Sequence, residues 1–136
     1  MKKFLVLVFS LSLFLGLNGC GNSANDPEKV ALSFFQNVFN GKTNVALVTI
    51  DTSGLESRRV KEIRDNIEYR IKSSKEDGIK DFKIVSKGVT YNSNKDEATV
   101  KIETSFKRSN EDTKTRNMDI NLVKVKGKWK ISNRYF

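Results

Sequence analysis

The chain contains no histidine, a single cysteine and a single proline among its 136 residues. Without histidine, it lacks the side chain most often used as a general base near neutral pH. A lone cysteine excludes an internal disulfide, and once it is modified it also excludes a thiolate nucleophile and a thiolate metal site. Neither a glycine-rich phosphate loop nor a carboxylate series with metal-loop spacing is present. We therefore expect a protein that is not an enzyme and has no cofactor and no metal.

The residues that are present suit a globular core. Hydrophobic residues make up 38% of the chain, nine phenylalanines are among them, and 30% of the residues are charged. This balance is typical of a folded domain rather than of a disordered or fibrous chain. The formal net charge of +9 makes the chain moderately basic, which favours contact with anionic surfaces.

The N-terminus has the pattern of a secretory signal peptide. Lys2 and Lys3 are followed by an apolar run over residues 4–17. The run is shorter than the roughly 20 residues of an ordinary transmembrane helix. Residues 17–20, Leu-Asn-Gly-Cys, resemble the bacterial lipobox. The resemblance implies that residues 1–19 are removed as a lipoprotein signal peptide and that the sulfur of Cys20 receives a diacylglycerol.

Lipid on Cys20 explains why the chain has only one cysteine. The alternative is an ordinary secreted protein with an incidental thiol, but an exposed free thiol is a liability in an oxidising compartment. In bacterial lipoproteins of this kind the new amino terminus is often acylated as well. Two or more acyl chains bind a membrane stably, whereas a single acyl chain binds it only marginally. We expect a lipid-anchored protein of the bacterial cell envelope, whose membrane is its first partner. Gly21 in place of aspartate favours the outer membrane in a Gram-negative host, whereas a Gram-positive host would carry the protein on the outer face of its cytoplasmic membrane.

The remaining chain predicts a polar tether over residues 20–25 and a single domain over residues 26–136. Residues 21–25 are small and polar and contribute nothing to a core. Asp26 is a good N-cap, Pro27 suits the first helical position, and Asn40-Gly41 is a helix stop. The apolar face of this first helix comprises Val30, Ala31, Phe34, Phe35, Val38 and Phe39.

Two further helices are predicted before the sheet. A short one covers residues 44–49, and a longer one begins with a capping box formed by Ser53 and Glu56. Glu76-Asp77-Gly78 ends the longer helix. Its buried side is one narrow stripe of Val60, Ile63, Ile67 and Ile71.

After Gly78 the period of the apolar residues changes from about 3.6 to 2, which predicts four antiparallel strands. The phase slips at residues 86–88, as a bulge would produce, and Val123 and Val125 indicate either a second bulge or burial on both faces. Lys126-Gly127 predicts a tight hairpin. The positions predicted to face inward are Ala98, Val100, Ile102, Phe106, Met118, Ile120 and Leu122. Because Glu97, Glu103 and Asp119 fall on the opposite face, no carboxylate dyad is predicted.

These elements predict an α+β domain in which N-terminal helices pack on a curved four-stranded antiparallel sheet. The motifs that follow resemble a family of small bacterial lipoproteins of unknown function: Pro27-x-x-Val30 with Phe34-Phe35, Asn40-Gly41-Lys42 with Ala46, and Val-Lys-Gly-Lys-Trp-Lys-Ile at residues 125–131. The resemblance spans nearly the whole mature chain. It implies a cone-shaped, nuclear transport factor 2-like or cystatin-like fold, and it names an architecture rather than an activity. Domains of this type often enclose a pocket between the long helix and the concave sheet.

The sequence offers two candidate surfaces. A possible pocket comprises Phe35, Phe39, Tyr69, Tyr91, Phe106 and Trp129, and the alternative for these aromatic residues is ordinary core packing. A possible basic surface comprises Lys124, Lys126, Lys128, Lys130 and Arg134 near the last hairpin, and the alternative for these is a solubilising face. Nucleic acid is not an expected partner, because the compartment is wrong and no recognition motif is present.

The leading hypothesis for function is a non-enzymatic envelope module. It would bind a protein, a peptide or an anionic surface of the envelope through its sheet or an exposed strand edge, where backbone hydrogen bonds need no special side chains. The alternative is a small apolar-ligand carrier, or a degenerate enzyme, that uses a pocket between helix and sheet. A polar side chain such as Tyr69 or Thr104, if it faces a real cavity, would favour the alternative.

Overall fold

The computed structural model describes residues 23–136; the predicted signal peptide and Cys20 lie outside these residues. A 3₁₀ turn over Ser23–Asn25, within the segment predicted as a tether, precedes the first helix, and another over Asn133–Tyr135 follows the last strand. The elements are α1 (Pro27–Phe39), α2 (Thr43–Val48), α3 (Ser57–Glu76), β1 (Ile79–Tyr91), β2 (Glu97–Arg108), β3 (Lys114–Val125) and β4 (Lys128–Ile131). In this part of the chain, no helix combines the length and the apolar character needed to cross a membrane.

Helix α1 begins and ends where the sequence predicts. The side chain of Asp26 caps it, since its Oδ1 accepts a hydrogen bond of 2.9 Å from the backbone N–H of Glu28. After Phe39 the chain leaves the helix, and Gly41 takes a φ of +74°, which disfavours residues with a Cβ. Val30 and Phe34 lie on the face of α1 that packs into the core.

We expect the Asp26→Ala variant to lower the free energy of unfolding by about 1 kcal/mol, because the N–H of Glu28 loses its acceptor. The Asp26→Asn variant keeps a side-chain oxygen at the same place and serves as the matched control. Urea titration of both variants measures the difference. Equal stabilities of the alanine and asparagine variants would contradict the assigned cap.

The capping box predicted for α3 is wrong. The helix begins at Ser57 with Glu56 as its N-cap residue, and no side chain caps it. Ser53 is held by Asp51 instead, whose Oδ1 accepts a hydrogen bond of 3.0 Å from the backbone N–H of Ser53. This local turn continues through Gly54, whose φ of +73° is incompatible with a right-handed α-helix.

The strands form one antiparallel sheet in the order β1-β2-β3-β4. The predicted bulge in β1 lies between Ser86 and Gly88, and a further register shift, not predicted, lies between Lys80 and Lys83. The pairing of β2 with β3 continues without a shift as far as Val123. Val123 and Val125 are half-buried on the outer side of the sheet. The break in the alternation of apolar residues there therefore reflects burial on both faces of the sheet rather than a second bulge.

The core lies between the helices and the concave face of the sheet. Ile63, Ile67 and Ile71 supply the predicted stripe of α3, while Val60 is only half-buried. Strand β2 contributes a buried side chain at every second position, and β3 contributes Ile120 and Leu122. Helices packed on a curved four-stranded antiparallel sheet are the fold class that the sequence predicts, and that prediction is confirmed.

Candidate functional site

An open cleft of about 260 Å³ lies between α1, α3 and the concave face of the sheet. Ligand pockets for drug-sized molecules measure roughly 300–1,000 Å³, so this cleft suits a smaller molecule. Its lining is dominated by aromatic side chains from α1, α3, β1 and β2: Phe34, Phe35, Phe39, Tyr69, Phe82 and Phe106.

Pairs of aromatic rings fix the walls of the cleft. Phe39 of α1 stacks on Phe82 of β1, with ring centroids 4.5 Å apart and planes 13° apart, and this contact ties the helix to the sheet. Phe34 and Phe35 meet edge to face at 5.1 Å. Both arrangements are favourable for aromatic pairs, and they give the cleft a defined shape.

Four of the six aromatic residues predicted to form a pocket lie around this cleft, namely Phe35, Phe39, Tyr69 and Phe106. The other two do not line it. Tyr91 and Trp129 pack against each other, with ring centroids 5.9 Å apart, and Trp129 belongs to the core. Thr104 is buried and borders the cleft, and Tyr69 borders it while 71% exposed, so both polar residues named as discriminators lie at a cavity.

Three arginines, which the sequence analysis did not single out, border the same cleft. The Cζ atoms of Arg108 and Arg116 lie 5.9 and 5.5 Å from the ring centroid of Phe106. The Cζ atom of Arg70 lies 5.4 Å from the ring centroid of Tyr135. Guanidinium groups stacked on aromatic rings are held in place while their N–H groups remain available to a ligand.

The charge of the cleft is positive. Asp77 is the single carboxylate among the described residues that line it, and its Oδ2 lies 3.4 Å from a terminal nitrogen of Arg108. The Nε of Arg108 is buried and has no hydrogen-bond partner within residues 23–136. Three arginines against one aspartate leave a formal charge of +2 around the cleft.

Shifted pKa values, which often mark catalytic groups, are resolved in the described chain only on its exposed surface. A hydrogen bond to Asp65 raises the pKa of Lys61. A hydrogen bond from Lys114 lowers the pKa of Glu111. Neither Lys61 nor Glu111 lines the cleft, so these shifts point to surface ion pairs rather than to acid–base chemistry.

The five basic residues of the last hairpin do not share one face. Lys124 is the register partner of Trp129 and its Nζ lies 5.5 Å from the ring centroid, whereas Lys128 is the partner of Val125 on the other face. The Nζ of Lys130 donates a hydrogen bond of 2.7 Å to the backbone oxygen of Val48. The other two are exposed, Lys126 at the hairpin turn and Arg134 in the last 3₁₀ turn.

A second depression of about 470 Å³ opens beside the exposed side of β2 and β3. It is polar, with Asp51, Asn121 and Asn133 on its rim. Side chains there already satisfy one another or the backbone: Thr99 donates to Asn121 at 2.9 Å, and Asn133 donates to the backbone oxygen of Asp51 at 3.0 Å. The aromatic cleft is therefore the better candidate site.

No family model matches the chain, and no curated protein matches it. Among solved structures it is similar to a protein from Campylobacter jejuni described as an NTF2-like transpeptidase, with 26% identity over 79% of this chain and 97% of that chain and a TM-score of 0.56. A SEC-C motif containing protein from Rhodopseudomonas palustris has 18% identity, covers 82% and 78% of the two chains and gives a TM-score of 0.59. A protein of unknown function from Nostoc punctiforme with a cystatin-like fold has 16% identity, 76% and 80% coverage and a TM-score of 0.53. The chain thus has an NTF2-like, cystatin-like fold.

Proposed function

We propose that this protein is a non-enzymatic binding module of the bacterial envelope, anchored by lipid on Cys20, that holds a small molecule in its aromatic cleft. The observation that carries the proposal is the open cleft of about 260 Å³ with aromatic walls. Leaving apolar surface in contact with water forgoes about 25 cal/mol per Å² of stabilisation. Apolar surface left exposed in a cleft of a small domain is therefore typical of a ligand-binding site.

The residues around the cleft favour binding over catalysis. The chain has no histidine. In the described part of the cleft, the carboxylate of Asp77 faces the guanidinium of Arg108 at 3.4 Å, which makes it a counter-ion rather than a free base. Proton transfer requires a positioned acid or base within hydrogen-bond reach of the reacting group. Binding requires only shape, apolar surface and a few polar groups.

The short distance in sequence between Cys20 and the domain supports a role at the membrane surface. The described fold begins at Ser23, and three residues of fully extended chain span at most about 11 Å. A lipid on Cys20 would therefore keep the domain close to the bilayer. Molecules that collect at the envelope surface would reach it at a raised effective concentration.

We expect the Ser73→Trp variant to lose at least tenfold in affinity for a naphthyl probe, because Ser73 borders the cleft from α3 and an indole there fills part of its volume. Calorimetric titration with 2-naphthoate and 2-naphthamide measures the affinity. The matched control is Lys72→Trp, which alters an exposed neighbour on the same helix. Binding that Ser73→Trp leaves intact, or no saturable binding of either probe to the parent protein, would contradict the proposal.

Docking at a strand edge is a second candidate, favoured by the different lengths of β3 and β4. Strand β4 pairs with β3 from Leu122 to Val125, and the backbone oxygen of Asn121 accepts a hydrogen bond from Ser132 at 2.9 Å. Residues 114–120 of β3 pair with β2 on one side and with no other described strand. An extended peptide could pair with this edge through its backbone.

A further inference from the structure

We infer that the cleft selects an acid: a small molecule with an apolar body and one carboxylate or phosphate group, which Arg116 recognises and the positive charge of Arg108 helps to attract. This inference rests on the proposed function of the cleft as a binding site. It adds the chemical class of the ligand and the residues that recognise its charge.

The strand register places the apolar and cationic parts of the site side by side. Ile102 and Met118 are opposite each other on β2 and β3, and two residues further along Thr104 is opposite Arg116. Residues directly opposite each other in an antiparallel pair point to the same face. Since alternate residues of a strand share a face, Arg108 continues the concave face two residues beyond Phe106. The concave face therefore changes along its length from apolar to cationic.

The ring of Phe106 lies near both guanidinium groups. The Cζ of Arg108 lies 5.9 Å, and that of Arg116 5.5 Å, from its centroid. Each guanidinium adds positive charge at this end of the cleft, and that charge attracts an anionic group. Guanidinium groups offer planar, paired N–H donors that match the oxygens of a carboxylate or a phosphate.

The protein itself supplies little to neutralise these cations. Asp77 faces a terminal nitrogen of Arg108 at 3.4 Å and leaves the buried Nε of Arg108 without an acceptor in the described chain. No ion pair or hydrogen bond to Arg116 occurs within the described residues. The nearby carboxylate of Glu111 is engaged by Lys114 at 2.8 Å. A ligand oxygen in the cleft would give the exposed guanidinium of Arg116 an acceptor.

The size of the cleft limits the body of the acid. A volume of about 260 Å³ accommodates a bicyclic aromatic or a short aliphatic chain, but not the two long chains of a phospholipid. The aromatic walls favour a flat apolar body. We therefore assign the site to a small free acid rather than to a membrane lipid.

The test compares 2-naphthoate with 2-naphthamide, two probes of nearly the same shape that differ in charge. We expect the parent protein to bind the acid at least tenfold more tightly by calorimetry, and we expect this preference to weaken as salt rises. The Arg116→Gln variant should bring the two affinities within about threefold of each other. Arg58→Gln removes an equally positive but highly exposed side chain outside the cleft, and it should leave the preference unchanged.

The outcomes separate the inference from the proposed function. Equal affinity of the parent protein for both probes, with binding still blocked by Ser73→Trp, would overturn the choice of an acid while leaving the cleft as the binding site. If neither probe binds the parent protein, both the inference and the proposed function are overturned. A preference for the acid that survives Arg116→Gln in a folded variant, checked by thermal unfolding, would also overturn the inference.

Further arms identify the acid group and its source. Tighter binding of 1-naphthyl phosphate than of 2-naphthoate would assign a phosphate, and the reverse would assign a carboxylate; both support an anion site. Phosphatidylglycerol vesicles should not displace 2-naphthoate from the cleft. Displacement by these vesicles and not by phosphatidylcholine vesicles would overturn the assignment to a small free acid and point to a lipid headgroup.

Discussion

Replacing Phe34 with alanine is expected to lower the free energy of unfolding by about 3–5 kcal/mol. The side chain is only 1% exposed, and its ring meets Phe35 of α1 and the C-terminal Phe136 edge to face at 5.1 and 5.6 Å. The variant loses this burial and leaves a cavity where α1 packs on the sheet. Since small domains are stable by about 5–15 kcal/mol, this loss removes a large share of the total stability.

Urea titration followed by circular dichroism measures the loss. Val48→Ala is the control, because Val48 is 68% exposed and its truncation should change stability by no more than about 0.5 kcal/mol. A loss below about 1 kcal/mol for Phe34→Ala would contradict the packing of α1 against the core, and with it the wall of the cleft that α1 provides.

The second large effect is expected at Cys20, which lies outside the described residues. Without the sulfur no diacylglycerol can be attached, so the Cys20→Ser protein should lose its palmitate label completely. Each buried methylene of an acyl chain contributes about 0.8 kcal/mol to membrane binding, so the loss of whole chains removes the anchor. Cell fractionation and labelling with radioactive palmitate measure this change.

Asn22→Ser is the matched control for Cys20→Ser, because it leaves the Leu-Asn-Gly-Cys sequence of residues 17–20 intact. It should remain labelled and bound to the membrane. Parent protein recovered unlabelled with residues 1–19 still attached, or palmitate labelling of Cys20→Ser equal to that of the parent, would contradict the proposed anchor.

The architecture was predictable from the sequence because the period of the apolar residues changes once, at Gly78, and both periods are clear. Helix α1 carries its cap and its stop in the sequence, and both are confirmed. The shift between Lys80 and Lys83 was missed, because Phe82 is the only apolar residue there and a single residue does not define a phase. The start of α3 was misplaced, because Asp51 competes for Ser53 and a sequence motif does not reveal which partner prevails.

The site was predictable in part. Phe35, Phe39 and Phe106 belong to apolar faces, and they do line one cleft. Tyr91 and Trp129 are also aromatic residues on strands of the sheet. Their distance from the cleft depends on the curvature and register of the sheet, which a sequence pattern does not give. The periodicity of aromatic residues therefore identifies candidates for a pocket, but it does not separate the residues that line the pocket from those that pack elsewhere.

The arginines show that a signal was present and was not used. Arg108 lies two residues beyond Phe106, and Arg116 lies two residues before Met118, so the alternation that defines the inner face places both of them on it. The inward positions predicted from the sequence end with the last apolar residue of each strand. Extending the alternation past the last apolar residue would have predicted two cations at the end of the concave face.

The position of Thr104 bears on the choice between the two binding modes. It is buried, borders the cleft and lies opposite Arg116, so the inner surface there is polar as well as aromatic. An interior meant only for packing is built from apolar side chains, because buried polar groups need partners. This arrangement favours a ligand in the cleft over a peptide at the edge of β3.

Two-dimensional amide NMR during a titration with 2-naphthoate tests the binding site most directly. We predict saturable shifts on both walls of the cleft, at Val38 of α1 and Ser73 of α3 as well as at Phe106 and Arg108 of β2, with Thr99 on the exposed side of the sheet unchanged. Shifts confined to residues 114–120 of β3, with the amides of α1 and α3 unmoved, would place binding at the strand edge and contradict a ligand site in the cleft.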